Sequence, residues 1–65
     1  MTNFKLRLTV GNESKDQELG FWRDFAVEQF RVTRDRLCDR YTGSEKWILE
    51  LIDTDGTVSH HFEKP

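Results

Sequence analysis

Residues spaced by three and four run without a break from Leu19 through Trp22, Ala26, Phe30, Thr33 and Leu37 to Tyr41. That is the period of one face of an α-helix sustained over several turns. In a chain of 65 residues, a helix of this length leaves room for little more than a small sheet on which it can lie. A folded chain of about 60 residues hides only about 60% of the surface its unfolded form exposes, so a single core is the limit. Residues 1–65 are therefore read as one domain. Gly43, just past Tyr41, is the expected helix stop, because glycine accepts the left-handed conformation that closes a helix end. Residues 42–44 are the expected connecting loop. Two positions compete for the helix start. Ser14 followed by Gln17 has the form of a capping box and starts the helix at Ser14. Gly20 inside a helix costs about 1 kcal/mol relative to alanine, which favours a start near residue 20.

Strand periods flank the helix. Phe4, Leu6, Leu8 and Val10 alternate with Lys5, Arg7 and Thr9, as in a half-buried strand, and Gly11-Asn12 ends the run with turn chemistry. Residues 46–54 put Trp47, Leu49 and Leu51 on one face and Ile48, Glu50 and Ile52 on the other. Asp55-Gly56 is a strong hairpin signal, and residues 57–63 form the returning strand. A two-residue loop sets Thr54 opposite Thr57, Leu51 opposite His60, Glu50 opposite His61 and Leu49 opposite Phe62. Trp47, Leu49, Leu51, Val58, His60 and Phe62 then share the face under the helix stripe. The expected fold class is α+β, a β-α-β-β domain with one long helix on one face of a three-stranded sheet. The first strand pairs either with the first hairpin strand, through a right-handed parallel crossover, or with the second in the antiparallel sense.

The composition is polar, with 35% hydrophobic and 34% charged residues, yet five Phe, two Trp and one Tyr set it apart from a disordered tail. A net charge of −2 gives the whole molecule no field that would draw it to nucleic acid or an anionic membrane, so any such role needs a local patch. Cys38 is the only cysteine. A secreted domain this small normally needs a disulfide, the first residues lack a signal-peptide core, and no run approaches the roughly 20 apolar residues of a membrane span. The expected location is the cytoplasm.

A second apolar stripe carries the functional argument. At 100° per residue, the stripe of Phe21, Phe25 and Val32 is centred well over 90° from the stripe of Trp22, Phe30 and Leu37, and one helix cannot bury both stripes on one sheet. In one reading Phe21 and Phe25 are exposed anchors that, with Val32 and Arg36, bind a protein partner or a second copy. In the other, residues 19–25 are not regular helix, and the rings fold back into the core. Arg31, Arg34, Arg36 and Arg40 could clamp phosphate or an acidic surface. The better-supported alternative is that they form exposed helix pairs with Asp35 and Asp39 worth a few tenths of a kcal/mol.

The remaining motifs are structural. His60 and His61 leave opposite faces of a strand and cannot share a metal ion, so His61 is matched with Glu50 and His60 with the core margin. Asp53-Thr54-Asp55-Gly56 fails the calcium-loop template, because the glycine comes too early and the twelfth position holds no glutamate. Cys38 has no histidine at helical spacing to activate it. No catalytic, cofactor-binding or metal-binding residue is assigned, and a single helix on three strands encloses little pocket volume, so the chain is not expected to be an enzyme. The expected function is a small protein-binding module that blocks or adapts a larger macromolecular complex. In size and charge alone the chain resembles the small inhibitor and accessory proteins of phages and mobile elements, of the anti-CRISPR or anti-restriction type; no aligned motif carries that resemblance and no residue role follows from it. The alternative is a nucleic-acid-binding accessory domain in which the four arginines join Lys5 and Arg7 in one basic surface. A homodimer through Phe21, Phe25 and an edge strand is the third reading.

Overall fold

A computed structural model describes residues 3–41, 43 and 46–64. In chain order these form β1 (Phe4–Val10), β2 (Glu13–Gly20), α1 (Arg23–Arg40), β3 (Trp47–Ile52) and β4 (Val58–Glu63). The strands make one antiparallel sheet in the order β2-β1-β3-β4. The α+β class and the helix packed on a sheet match the sequence reading. The strand number does not, since the described residues form four strands and not three.

The extra strand is β2, so Ser14 and Gln17 do not cap a helix; the regular helix begins at Arg23, close to the alternative start near residue 20. All β2 residues from Glu13 to Glu18 are exposed, because β2 is an edge strand that water reaches from both sides. Such a strand needs no apolar alternation, and cross-strand polar pairs hold it instead. Arg7 donates from Nε and Nη2 to the two carboxylate oxygens of Asp16, at 2.8 and 3.1 Å, and the Thr9 and Ser14 hydroxyls lie 2.9 Å apart. Gly11 at φ +61° supplies the positive first position of the two-residue turn between Val10 and Glu13. The added strand reverses the chain before the helix. β3 therefore returns antiparallel to β1, which is neither of the two pairings weighed from the sequence.

The core lies between α1 and the inner strands. Ala26, Phe30 and Leu37 of the helix meet Phe4 and Leu6 of β1 and Trp47, Leu49 and Leu51 of β3, with Leu19 of β2 closing one side. Trp22 departs from the expected stripe. It is the N-cap residue of α1, and its side chain is 70% exposed. The helix ends at Tyr41, whose N–H donates to the Leu37 carbonyl at 2.9 Å. Gly43 has no positive φ, so it is not the left-handed stop expected there. The neighbouring positions of that expected loop, 42 and 44, lie outside the described residues.

The hairpin keeps three expected pairs, Leu51 with His60, Glu50 with His61 and Leu49 with Phe62. Its turn is longer than expected. The Asp53 N–H donates to the Thr57 carbonyl at 2.7 Å and the Gly56 N–H to the Asp53 carbonyl at 2.9 Å, leaving three loop residues with Gly56 at φ +90°. A type I turn followed by a left-handed glycine produces this hairpin loop. A register shift between Leu51 and Ile52 then sets Val58 opposite Ile52. Val58 is half exposed and does not join the covered face assigned to it.

Candidate interaction surfaces

The junction between β2 and α1 exposes its aromatics. Leu19 is buried at the end of β2, the chain turns at Gly20, and the Trp22 carbonyl accepts the Ala26 N–H at 3.0 Å as the helix begins. The Trp22 backbone thus serves the helix while its ring stands outside. Phe21 is 59%, Phe25 51% and Val32 39% exposed. The Phe21 and Trp22 rings are stacked, with centroids 6.0 Å apart and planes at 26°. At roughly 200 Å² per aromatic side chain, Phe21, Trp22 and Phe25 together leave about 360 Å² of surface in water, within the range at which patches on monomers are often functional.

This cluster is held in place from below. The guanidinium of Arg23 lies 5.3 Å from the centroid of the Phe4 ring and donates to Asp53 Oδ2 at 2.7 Å, tying the first turn of α1 to the β3–β4 turn. The Arg23 hydrogen bond, with the Thr54 amide second, holds the Asp53 carboxyl below its ordinary range. The Thr57 hydroxyl and amide do the same for Asp55, and the Arg7 fork does so for Asp16. Asp24, Glu28, Asp35 and Asp39 fall within about 60° of arc on one side of the Phe25-Val32 line of α1 at 100° per residue. Gln29, Arg36 and Arg40 lie on the other side.

The four helix arginines do not form one surface. Arg31 and Arg34 share the β4 flank, where Arg34 lies over the Phe62 ring at 5.9 Å and donates to Asp35 Oδ1 at 3.2 Å. Arg36 and Arg40 stand three and seven residues beyond Thr33, on the β2 flank. Lys5 and Arg7 point from the face of the sheet opposite the helix. The six cations of the nucleic-acid reading are therefore spread over three surfaces. Among the described residues Asp39 takes no part in an ion pair, and Asp35 pairs only with its neighbour Arg34.

On the far face, one row crosses the sheet as Asp16, Arg7, Glu50 and His61, with His61 Nδ1 3.1 Å from Glu50 Oε2. His60 is on the helix side, its ring centroid 5.4 Å from that of Phe30. The two histidines diverge as the strand period requires. Among the described residues no group of three or more His, Cys, Asp or Glu is placed to hold a metal ion, and no helix is long and apolar enough to cross a membrane.

The helix side of the sheet carries a trough between α1 and β2. One hollow of about 230 Å³ is lined by Leu8, Val10, Glu13, Lys15 and Tyr41. A second of about 310 Å³, sharing Leu8 and Lys15 with the first, adds Leu6, Gln17, Thr33 and Leu49. The sequence did not reveal this feature, because its outer bank is the unrecognised strand β2. Trp22 was likewise assigned to the core. Its position two residues past Gly20, where the regular helix was one option to begin, is the signal that bears on it. No family model, curated protein or solved structure matches the chain.

Proposed function

We propose that the chain is a protein-binding module whose Phe21, Trp22, Phe25 and Val32 ridge docks in an apolar cleft of a partner protein with a basic rim. The observation that carries this reading is the three aromatic rings left in water by a domain short of hydrophobes. Aromatics in such positions are the residues most often found as interface anchors. The clamp of Arg23 on Asp53 and Phe4 keeps the ridge ordered before binding, which lowers the entropy lost on docking. The carboxylates of Asp24, Glu28, Asp35 and Asp39 along one edge favour a basic rim on the partner. They also disfavour a second copy. Antiparallel pairing of two ridges about a two-fold axis sets that acidic edge against itself, and parallel pairing lays the two helix dipoles side by side. A module of this kind blocks or adapts a larger complex by filling a cleft that another component needs.

The test is affinity capture from the native host, followed by titration of the purified partner. Trp22→Ser with Phe25→Ser should weaken that complex on the order of 30-fold or more, as loss of a hot spot does, while Ser14→Ala on the far sheet face leaves it intact. Equal binding by all three proteins sinks the assignment. Low-salt binding to mixed-sequence DNA that falls steeply with added salt would instead favour the nucleic-acid alternative.

A further inference from the structure

Given the aromatic ridge as the docking surface, on which this reading rests, we propose that its cleft has walls of opposite charge. One wall is basic along its length, and the other is acidic only beside the C-terminal half of α1, so the chain docks in one direction. At 100° per residue the outward half of α1 divides into three bands. Asp24, Glu28, Asp35 and Asp39 form the first, and Phe25 and Val32 the second. Gln29, Arg36 and Arg40 form the third. The carboxylates and the two arginines are centred about 110° apart, with the apolar line midway between them. All six of these charged side chains are exposed.

Sorting by sign is unfavourable within the chain. Asp24 with Glu28, Asp35 with Asp39, and Arg36 with Arg40 are like-charged pairs at i and i+4, each of which destabilises a helix. A helix face that meets only water interleaves the two signs. Asp24 in the first turn and Arg40 in the last suit the helix dipole, but Asp39 stands at the end that repels it. Arg36 could bridge to Asp39 at i and i+3, and Arg31 borders the acidic band at helical spacing from Glu28 and Asp35. Among the described residues none of these bridges forms. Groups of opposite charge on a partner answer the repulsion on docking.

The bands differ in length. From Asp24 to Asp39 the carboxylates run about 22 Å along the axis, whereas Arg36 and Arg40 cover only about 6 Å near its C-terminal end. Turning the helix end for end in such a cleft sets carboxylates against the acidic wall, a like-charge contact that rejects the wrong orientation. A second copy is a poor match. Two ridges facing in parallel bring Asp35 and Asp39 against Arg36 and Arg40, but Asp24 and Glu28 then meet only Gln29, and the two helix dipoles lie side by side.

The probe is the partner purified after capture, titrated at about 0.15 M salt, where distant charges are screened. Asp39→Lys and Arg36→Glu should each weaken its complex at least about tenfold by setting like charges together. Both positions are exposed, so the urea midpoint of the free chain should move by less than about 0.5 M. Lys5→Glu and Glu63→Lys change net charge equally on the sheet face away from α1 and should leave the affinity within about twofold. Carbodiimide joins a carboxylate to an amine in contact. In the Arg36→Lys and Arg40→Lys chain it should link positions 36 and 40 to partner carboxylates. Unchanged affinity in both reversals, with Trp22→Ser and Phe25→Ser still disruptive, would overturn the opposite walls and leave the ridge in place. Absence of links at positions 36 and 40 would overturn the acidic wall. If the aromatic pair has no effect, ridge and walls fall together. Growth in mass of the chain alone with concentration, abolished by Arg36→Glu, would give both bands to a second copy.

Discussion

Phe25 and Phe30 stand five residues apart on α1 and differ chiefly in burial, with 51% and 4% of their surfaces exposed. Replacing each by alanine changes helix propensity equally, so the difference between the two variants isolates what each ring touches. With about 200 Å² per ring, Phe30 hides roughly 90 Å² more than Phe25. At about 25 cal/mol per Å² this is ~2.3 kcal/mol of transfer free energy. Phe30→Ala also leaves a cavity between α1 and the inner strands and should lose about 3–5 kcal/mol in all. Phe25→Ala should lose about 1–1.5 kcal/mol, once the compactness of the unfolded chain and alanine's helix preference of about 0.5 kcal/mol are counted. Urea titration followed by the fluorescence of buried Trp47 measures both. At about 1 kcal/mol per molar urea for a chain this small, the midpoints should differ by roughly 2–3 M. A stability of about 3–10 kcal/mol is typical for this length, so Phe30→Ala can unfold in buffer; added sulfate then brings it onto the scale. Equal losses in the two variants would refute the reasoning, because Phe25 would then be a core residue and the ridge would not exist.

The remaining predictions concern the turns and the ion pairs. Gly56→Ala should destabilise by about 1–2 kcal/mol, since Gly56 holds φ +90° and a Cβ there meets nothing within 4 Å, so the cost is backbone strain alone. Gly43→Ala, without a positive φ, should change stability by less than about 0.5 kcal/mol; matching effects would count against the turn geometry. Asp53 is held below its ordinary value of 3.8 chiefly by Arg23. A carboxyl depressed in the folded state stabilises above its unfolded pKa and loses that contribution as pH falls through the folded value. Asp53→Asn should therefore be less stable than wild type at pH 7, with the gap closing below pH 3.8. Paired urea titrations from pH 7 to about pH 2 test this, and a gap that stays constant throughout would rule the Arg23 link out as its source.

The readable parts of the fold were those where burial imposes a period. β1 and β3 each bury one face against α1, so Leu6 stands between Lys5 and Arg7, Trp47, Leu49 and Leu51 recur at every second position, and Ala26, Phe30 and Leu37 keep the helical spacing. β2 carried no such mark, because water reaches both its faces and Leu19 alone of its residues is fully buried. Its signals were pairwise. Arg7 with Asp16 and Thr9 with Ser14 become cross-strand partners once Gly11-Asn12 is taken as a two-residue turn. Reading Ser14 and Gln17 as a cap removed that strand and with it the trough, whose outer bank is Lys15 and Gln17. The exposed Phe21 and Phe25 were visible as a geometric surplus. Trp22 was not, because its spacing to Ala26 fits the buried stripe while its place at the N-cap lets the ring leave it.

The edges of the sheet bear on whether the chain pairs with itself. Extending the sheet through β2 about a two-fold axis keeps both helices on one face, so residues opposite one another must have the same parity. In the two fullest registers this sets Asp16 opposite its own copy, or Asp16 opposite Glu18 twice. Sliding one step further sets Lys15 against Lys15. Like charges directly opposite are destabilising in a sheet, and charged side chains are a recognised means of guarding an exposed edge. Asp16 is also already engaged by Arg7 within its own chain. These charges therefore disfavour self-pairing through the β2 edge. Sedimentation at micromolar concentration should give a monomer. A dimer that tightens when Asp16→Asn and Glu18→Gln remove the like-charge contacts would show instead that the edge is the interface.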